Sequence, residues 1–276
     1  MQILIVANGP SDTEAAVTLG LQLVRRTGPP PTLLAVARRG APGQPWSPDP
    51  HLAQSLQQLQ SRAPGAQVKL RFGDPEEQIL VEARGAGCEL LIVGDACRQN
   101  AAARLLRGSL VLNLVEHAPC PVLVSKGRVG PIRRILVCDS GAEGPALPSQ
   151  FTSRLVAQLG TEEKVTVLHV MSQISAGPGV PGRQLRASAT ELLHEQTLEG
   201  LILKRDLEIL QQAGISPHPA VRHGLVVDEV LGEAQPEDHD LVVIGAHRPE
   251  RWQQLLLGNL ARDIVTRSEL PVLVVK

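Results

Sequence analysis

Short runs of uniformly apolar residues alternate along the chain with longer stretches in which the apolar positions recur at helical spacing. In the first half the runs are ILIVANG (Ile3–Gly9), TLLAV (Thr32–Val36), ELLIVGDA (Glu89–Ala96) and CPVLVSK (Cys120–Lys126). They do not alternate apolar with polar, which is the pattern of strands covered on both faces, as in a parallel sheet. Helical periodicity occupies Glu14–Arg26, Glu76–Gly85 and one long stretch, Leu185–Ala213. Two weaker strands are predicted at Gln67–Arg71 and His218–Arg222. Strand and helix thus alternate throughout, which predicts an α/β protein with right-handed crossovers.

The pattern occurs twice. ILIVANG returns as ILVCDSG (Ile135–Gly141), TLLAV as TVLHV (Thr166–Val170), ELLIVGDA as DLVVIGAH (Asp240–His247) and CPVLVSK as LPVLVVK (Leu270–Lys276). The order is the same in both halves, so the chain reads as a tandem duplication with its joint near Gly127–Pro131. The predicted domains are residues 1–128 and 131–276. In GDPEE, Asp74 is placed to cap a helix that opens on Pro75, with Glu77 closing a capping box. The Pro/Gly-rich pieces RRGAPGQPWSPDP and SAGPGVPGR follow the second strand of each half and read as long surface loops.

Composition narrows the function classes. At 276 residues the chain suits two domains, and its core is aliphatic, with no Tyr, two Phe and two Trp. Neither that aromatic poverty nor a net charge of -1 suits a nucleic-acid reader. The four cysteines form no CxxC pair, and Cys120 and Cys138 read as small buried hydrophobes, so disulfides and zinc are not expected. The first residues lack the basic start of a signal peptide, and no apolar segment is long enough to span a bilayer. A reduced, soluble, cytoplasmic protein is expected.

With APCPVLVSK, GDPEEQIL, VTVLHV and GAHRPERWQQLLLGN in view, both halves resemble the universal stress protein family. The resemblance covers nearly the whole length and implies a tandem member. Each half would be a doubly wound, Rossmann-like sheet of five parallel strands in order 3-2-1-4-5. Val122–Ser125 would meet Val272–Val275 in an intramolecular pseudo-dimer, and further homo-oligomers stay open. Some family members bind ATP through Gly, two residues, Gly, nine residues, then Gly followed by Ser or Thr, with an aspartate ending the first strand. Such a loop offers phosphate its backbone N–H groups and a helix N-terminus at the switch point of the sheet.

In the second half Gly245 and Gly258 keep that spacing, Arg248 stands for the middle glycine and Asn259 for the hydroxyl residue. His247 matches a loop position that is often histidine in the family. Asp139 stands for the aspartate, in a strand end one residue tighter than the family's. Val170, ending the second strand, belongs to the adenine and ribose side. The first half departs further: Cys97 replaces a glycine, the stretch to Gly108-Ser109 is one residue longer, and Ala7 or Asn8 stands for the aspartate. The resemblance therefore implies a stress-response regulator that binds an adenine nucleotide, ATP foremost, in its second half, with Mg only if ATP is bound. The alternative is a ligand-free scaffold that docks an unknown protein partner, for which Gly245, Gly258 and Asn259 merely turn the chain and cap a helix. His169 reads as a structural hydrogen-bonder at a strand end. No nucleophile–base or paired-carboxylate pattern supports catalysis beyond slow ATP hydrolysis.

Overall fold

A computed structural model describes all residues except 8–9, 25–27, 38–49, 86, 96–109, 127–128, 140–145, 161–162, 172–186, 195–196 and 247–259. The chain forms two compact units, Met1–Gly130 and Pro131–Lys276. In the first, strands β1 (Ile3–Ala7), β2 (Thr32–Ala37), β3 (Gln67–Phe72), β4 (Leu90–Gly94) and β5 (Val122–Ser125) lie side by side in the order β3-β2-β1-β4-β5. Every neighbouring pair is parallel, with Leu4 beside Thr32, Ile5 beside Ile92, Leu33 beside Val68 and Leu91 beside Val122. Its helices are α1 (Pro10–Leu23), α2 (Pro50–Arg62), α3 (Pro75–Gly85) and α4 (110–117).

The second unit repeats the plan. Its strands are β6 (Arg134–Cys138), β7 (Lys164–Met171), β8 (Pro217–His223), β9 (Leu241–Gly245) and β10 (Val272–Val275), in the order β8-β7-β6-β9-β10. These pairs are parallel too, with Leu136 beside Thr166, Ile135 beside Leu241, Val165 beside Pro217 and Val272 beside Val242. The helices are α5 (Leu147–Leu159), α6 (Ala189–His194), α7 (Leu198–Gln212), α8 (Val226–Glu233) and α9 (Leu260–Arg267). Both units thus have the strand order 3-2-1-4-5 and are α/β folds with parallel sheets.

The central strands are apolar without alternation because both of their faces are covered: all of Leu90–Gly94 and Val122–Ser125 is buried, as are Ile3–Val6 and Leu241–Ile244. The edge strand β3 instead has exposed and half-buried positions in turn over most of its length. Helix α1 lies close on β1, where a Cβ at Gly20 would come 2.5 Å from Ile5 Cδ1. The duplication extends to single backbone torsions. Gly73 and Gly224, each just past the third strand of its unit, have φ of 143° and 153° and donate to Ala37 and Met171 respectively. Side chains rarely adopt that region, so the same turn requires glycine twice. Among the described residues no helix is long and apolar enough to cross a membrane.

Two boundaries differ from expectation. Helix α1 covers Pro10–Leu23, not Glu14–Arg26, since proline's fixed φ suits a first helical position. The long helix expected over Leu185–Ala213 is two helices, α6 and α7. A capping box opens the first: Ser188 N–H and Oγ donate to the Glu191 carboxylate at 2.7 Å, and Glu191 N–H returns to Ser188 Oγ at 3.3 Å. Thr197 opens the second, its Oγ1 accepting from Gly200 N–H at 3.1 Å. As expected, Asp74 caps α3, accepting from Glu77 N–H at 3.1 Å. The Pro/Gly-rich pieces lie outside the described residues, apart from Pro50, which begins α2.

Candidate functional site

The strand order reverses direction between β6 and β9 in the second unit. From β6 the chain builds outward through β7 and β8, then returns to place β9 on the other side. Helices that leave such a pair of strands in opposite directions open a crevice beyond their carboxyl ends. Cys138 lies beside Ile244, so the residues that follow, Asp139 and Gly245, emerge together at this crevice. Pro148, in the first turn of α5, lies over Gly245: a Cβ added there would meet Pro148 Cγ at 3.5 Å, an ordinary contact. Gly245 has no positive φ either. Neither torsion nor packing accounts for glycine at this position, and it leaves bare backbone at the mouth of the crevice.

Asp139 is largely buried and is engaged by α7: Arg205 Nη2 donates to its Oδ2 at 2.8 Å. The same guanidinium nitrogen stands 3.8 Å from Oδ1 of Asp206. Asp206 is 1% exposed, and its Oδ1 has no hydrogen-bond partner among the described residues. Beside it lies the buried Ser149 hydroxyl of α5. Burial first, and the neighbouring Asp139 carboxylate second, push the Asp206 carboxyl up to about 7, against the pull of Arg205. Asp139 and Asp206 therefore make a buried acidic pair bridged by one cation. His169 of β7 is buried nearby; loss of hydration lowers its basicity, opposed by Glu199 and Asp139. Cys138, buried at the end of β6, has its thiol held well above its ordinary range by burial and the nearby Glu233 and Asp139 carboxylates.

Of the residues expected at the site, the structure brings together Asp139 and Gly245, while Val170 is the last residue but one of β7, the strand beside β6, and is half-buried. His247, Arg248, Gly258 and Asn259 lie outside the described residues. Arg205, Asp206 and Ser149 were not expected. Asp206 had a signal, because it shares the buried stripe of α7 with Ile202, Leu203, Leu207 and Leu210, where an apolar residue belongs. Arg205 had none: its partner comes from 66 residues away.

The first unit fills the corresponding place differently. Ala7 ends β1, and Asp95 follows Gly94 of β4. The Asp95 carboxylate meets Lys126 Nζ at 2.9 Å in an ion pair only 13% and 6% exposed, and Asp95 N–H donates to Ser125. In the second unit Ala246 keeps that backbone bond, to Val275, and contributes no acid. Among the described residues no group of three His, Cys, Asp or Glu side chains could hold a metal ion.

Comparison with known proteins agrees with this architecture. The profile of the Universal stress protein family matches residues 1–126 and again 131–276. A universal stress protein of Methanocaldococcus jannaschii is 27% identical over 144 residues, which is 52% of this chain and 82% of that protein. A second one from the same organism is 26% identical over 125 residues, 41% of this chain and 77% of its own. Among solved structures, a universal stress protein from Archaeoglobus fulgidus aligns over 100% of this chain and 96% of its own at a TM-score of 0.68. Its identity of 16% speaks for the fold alone.

Proposed function

The chain belongs to the universal stress protein family through both of its units, and on that premise we propose that the second unit binds an adenine nucleotide, ATP foremost, as part of a regulatory role in the stress response. The observation that carries the reading is the pairing of Asp139 with Gly245 at the switch point, an acceptor beside bare backbone. A carboxylate there suits a ribose hydroxyl or the adenine amino group, both donors, and the backbone of Val170 lies on the adenine side. The bare backbone of Gly245 lets phosphate approach closely. Phosphates would continue along 247–259, where His247, Arg248 and Asn259 would add donors ahead of α9, which begins at Leu260. Helix N-termini favour anions through unsatisfied N–H groups and a partial positive charge. Magnesium would arrive with the phosphates of ATP.

One observation favours the runner-up, a scaffold without nucleotide: Arg205 already occupies Oδ2 of Asp139. Ligand must share or displace that contact. The reading is tested by titrating ATP, ADP and AMP into the whole protein, and by assaying adenine nucleotide released when freshly purified protein is denatured. A charge-assisted hydrogen bond contributes roughly 1.5–3 kcal/mol, so Asp139→Ala should weaken ATP by about tenfold or more. If neither wild type nor Arg248→Gly binds any of the three nucleotides, the nucleotide reading fails and the scaffold stands.

A further inference from the structure

The first unit carries two cysteines that the crevice does not use. Cys88 lies between α3 and β4, and Cys120 just before β5. The register brings them together: Leu91 lies beside Val122, and Leu91 N–H donates to the carbonyl of Pro121 at 3.0 Å. The two side chains are in hydrogen-bond contact, and neither is in a disulfide. Cys88 is 9% exposed and Cys120 4%. The fold does not demand this pair, because the second unit builds the same corner with His239 and Leu270. We propose that Cys88 and Cys120 form a reversible disulfide when the protein meets a hydroperoxide, making the base of the first unit a site of oxidative modification.

The surroundings support Cys88 as the attacking group. Contact with the Cys120 thiol, and then with the backbone of Leu90 and Leu4, holds the Cys88 thiol below its ordinary range despite its burial. Having lost its proton, Cys88 attacks one peroxide oxygen. The O–O bond breaks, the leaving hydroxide takes a proton to become water, and Cys88 carries a sulfenic acid. Cys120 sulfur then attacks Cys88 sulfur; the S–O bond breaks, the S–S bond forms, and the hydroxyl leaves with the Cys120 proton as a second water. Two thiols lose two electrons in all, and one hydrogen peroxide becomes two waters. A second thiol already in contact resolves the sulfenic acid before it oxidises further. Cys138 offers no such chemistry, since burial keeps it protonated.

The test treats the folded, intact chain with hydrogen peroxide, removes the peroxide, denatures the protein in the presence of an alkylating agent that traps every remaining thiol, and maps non-reduced peptides by mass spectrometry. The expected product is the Cys88–Cys120 cross-linked peptide, lighter by two hydrogens, reversed by dithiothreitol and unchanged in Cys97→Ser. Cys120→Ser should instead leave Cys88 as sulfenic or sulfinic acid, which a dimedone probe would trap in its first stage. A cross-link that runs through Cys97, or Cys88 and Cys120 both still alkylated after peroxide has oxidised another residue, would overturn the proposal. So would a Cys88 that becomes sulfinic in wild type with no cross-link formed.

Discussion

Asp206 makes the stability of the second unit depend on pH. Its carboxyl, pushed up to about 7 by burial and by Asp139, is neutral in the folded state where an unfolded chain would already have lost the proton. The folded pKa lies above the unfolded one, so the penalty is absent below the unfolded pKa. It grows as pH rises through the window from the ordinary carboxylate value to about 7 and is complete above it. At alkaline pH the cost is on the order of a few kcal/mol, each pKa unit being about 1.4 kcal/mol. Asp206→Asn keeps the shape and cannot ionise. It should raise the thermal midpoint at pH 8 and leave it nearly unchanged at pH 4, and midpoints displaced equally at both pH values would refute the assignment. The crevice itself is tuned by the same group, because an ionised Asp206 draws on the guanidinium that otherwise serves Asp139.

At the scale of elements, the starts of α3, α6 and α7 follow from side chains that accept from the first backbone N–H groups of the helix. Thr197→Ala removes the hydroxyl that accepts from Gly200 N–H and should cost about 1 kcal/mol. It should appear as an earlier denaturant midpoint with unchanged slope; a changed slope would mean that the loss reached beyond α7. The strands were legible in the sequence because burial on both faces removes alternation, and even the weak third strands were found within a residue at either end. The break between α6 and α7 was not read, although Thr197, which caps α7, is a residue type that favours a helix start. Helical periodicity runs on across a cap, since both helices bury leucines, and only the cap residues mark the division. The site was legible in part for a similar reason. Asp139 and Gly245 could be found because they lie at strand ends, one just past β6 and the other closing β9, whereas Arg205 reaches Asp139 through the fold and leaves no local pattern. The thiol pair adds a further expectation at this scale. Oxidation closes a loop of about 30 residues between Cys88 and Cys120, which in the chain-entropy account stabilises by roughly 3–4 kcal/mol.

Across the whole molecule, a duplicated fold has been given two different crevices. Both units share strand order, register and even the torsion of the turn after the third strand. They differ where function would reside. The first unit ends its first strand in Ala7 and holds a buried Asp95–Lys126 ion pair at the mouth, so it offers neither the strand-end carboxylate nor a free path for phosphate oxygens past Asp95. The second offers Asp139 beside Gly245, with Ala246 where the first unit has its acid. This asymmetry predicts one nucleotide for each chain, though the family profile matches twice. Isothermal titration of ATP into the intact protein measures that number directly. The account predicts a stoichiometry of one, lost or weakened about tenfold in Asp139→Ala. Two equivalents per chain, or binding that Asp139→Ala leaves unaltered, would contradict it.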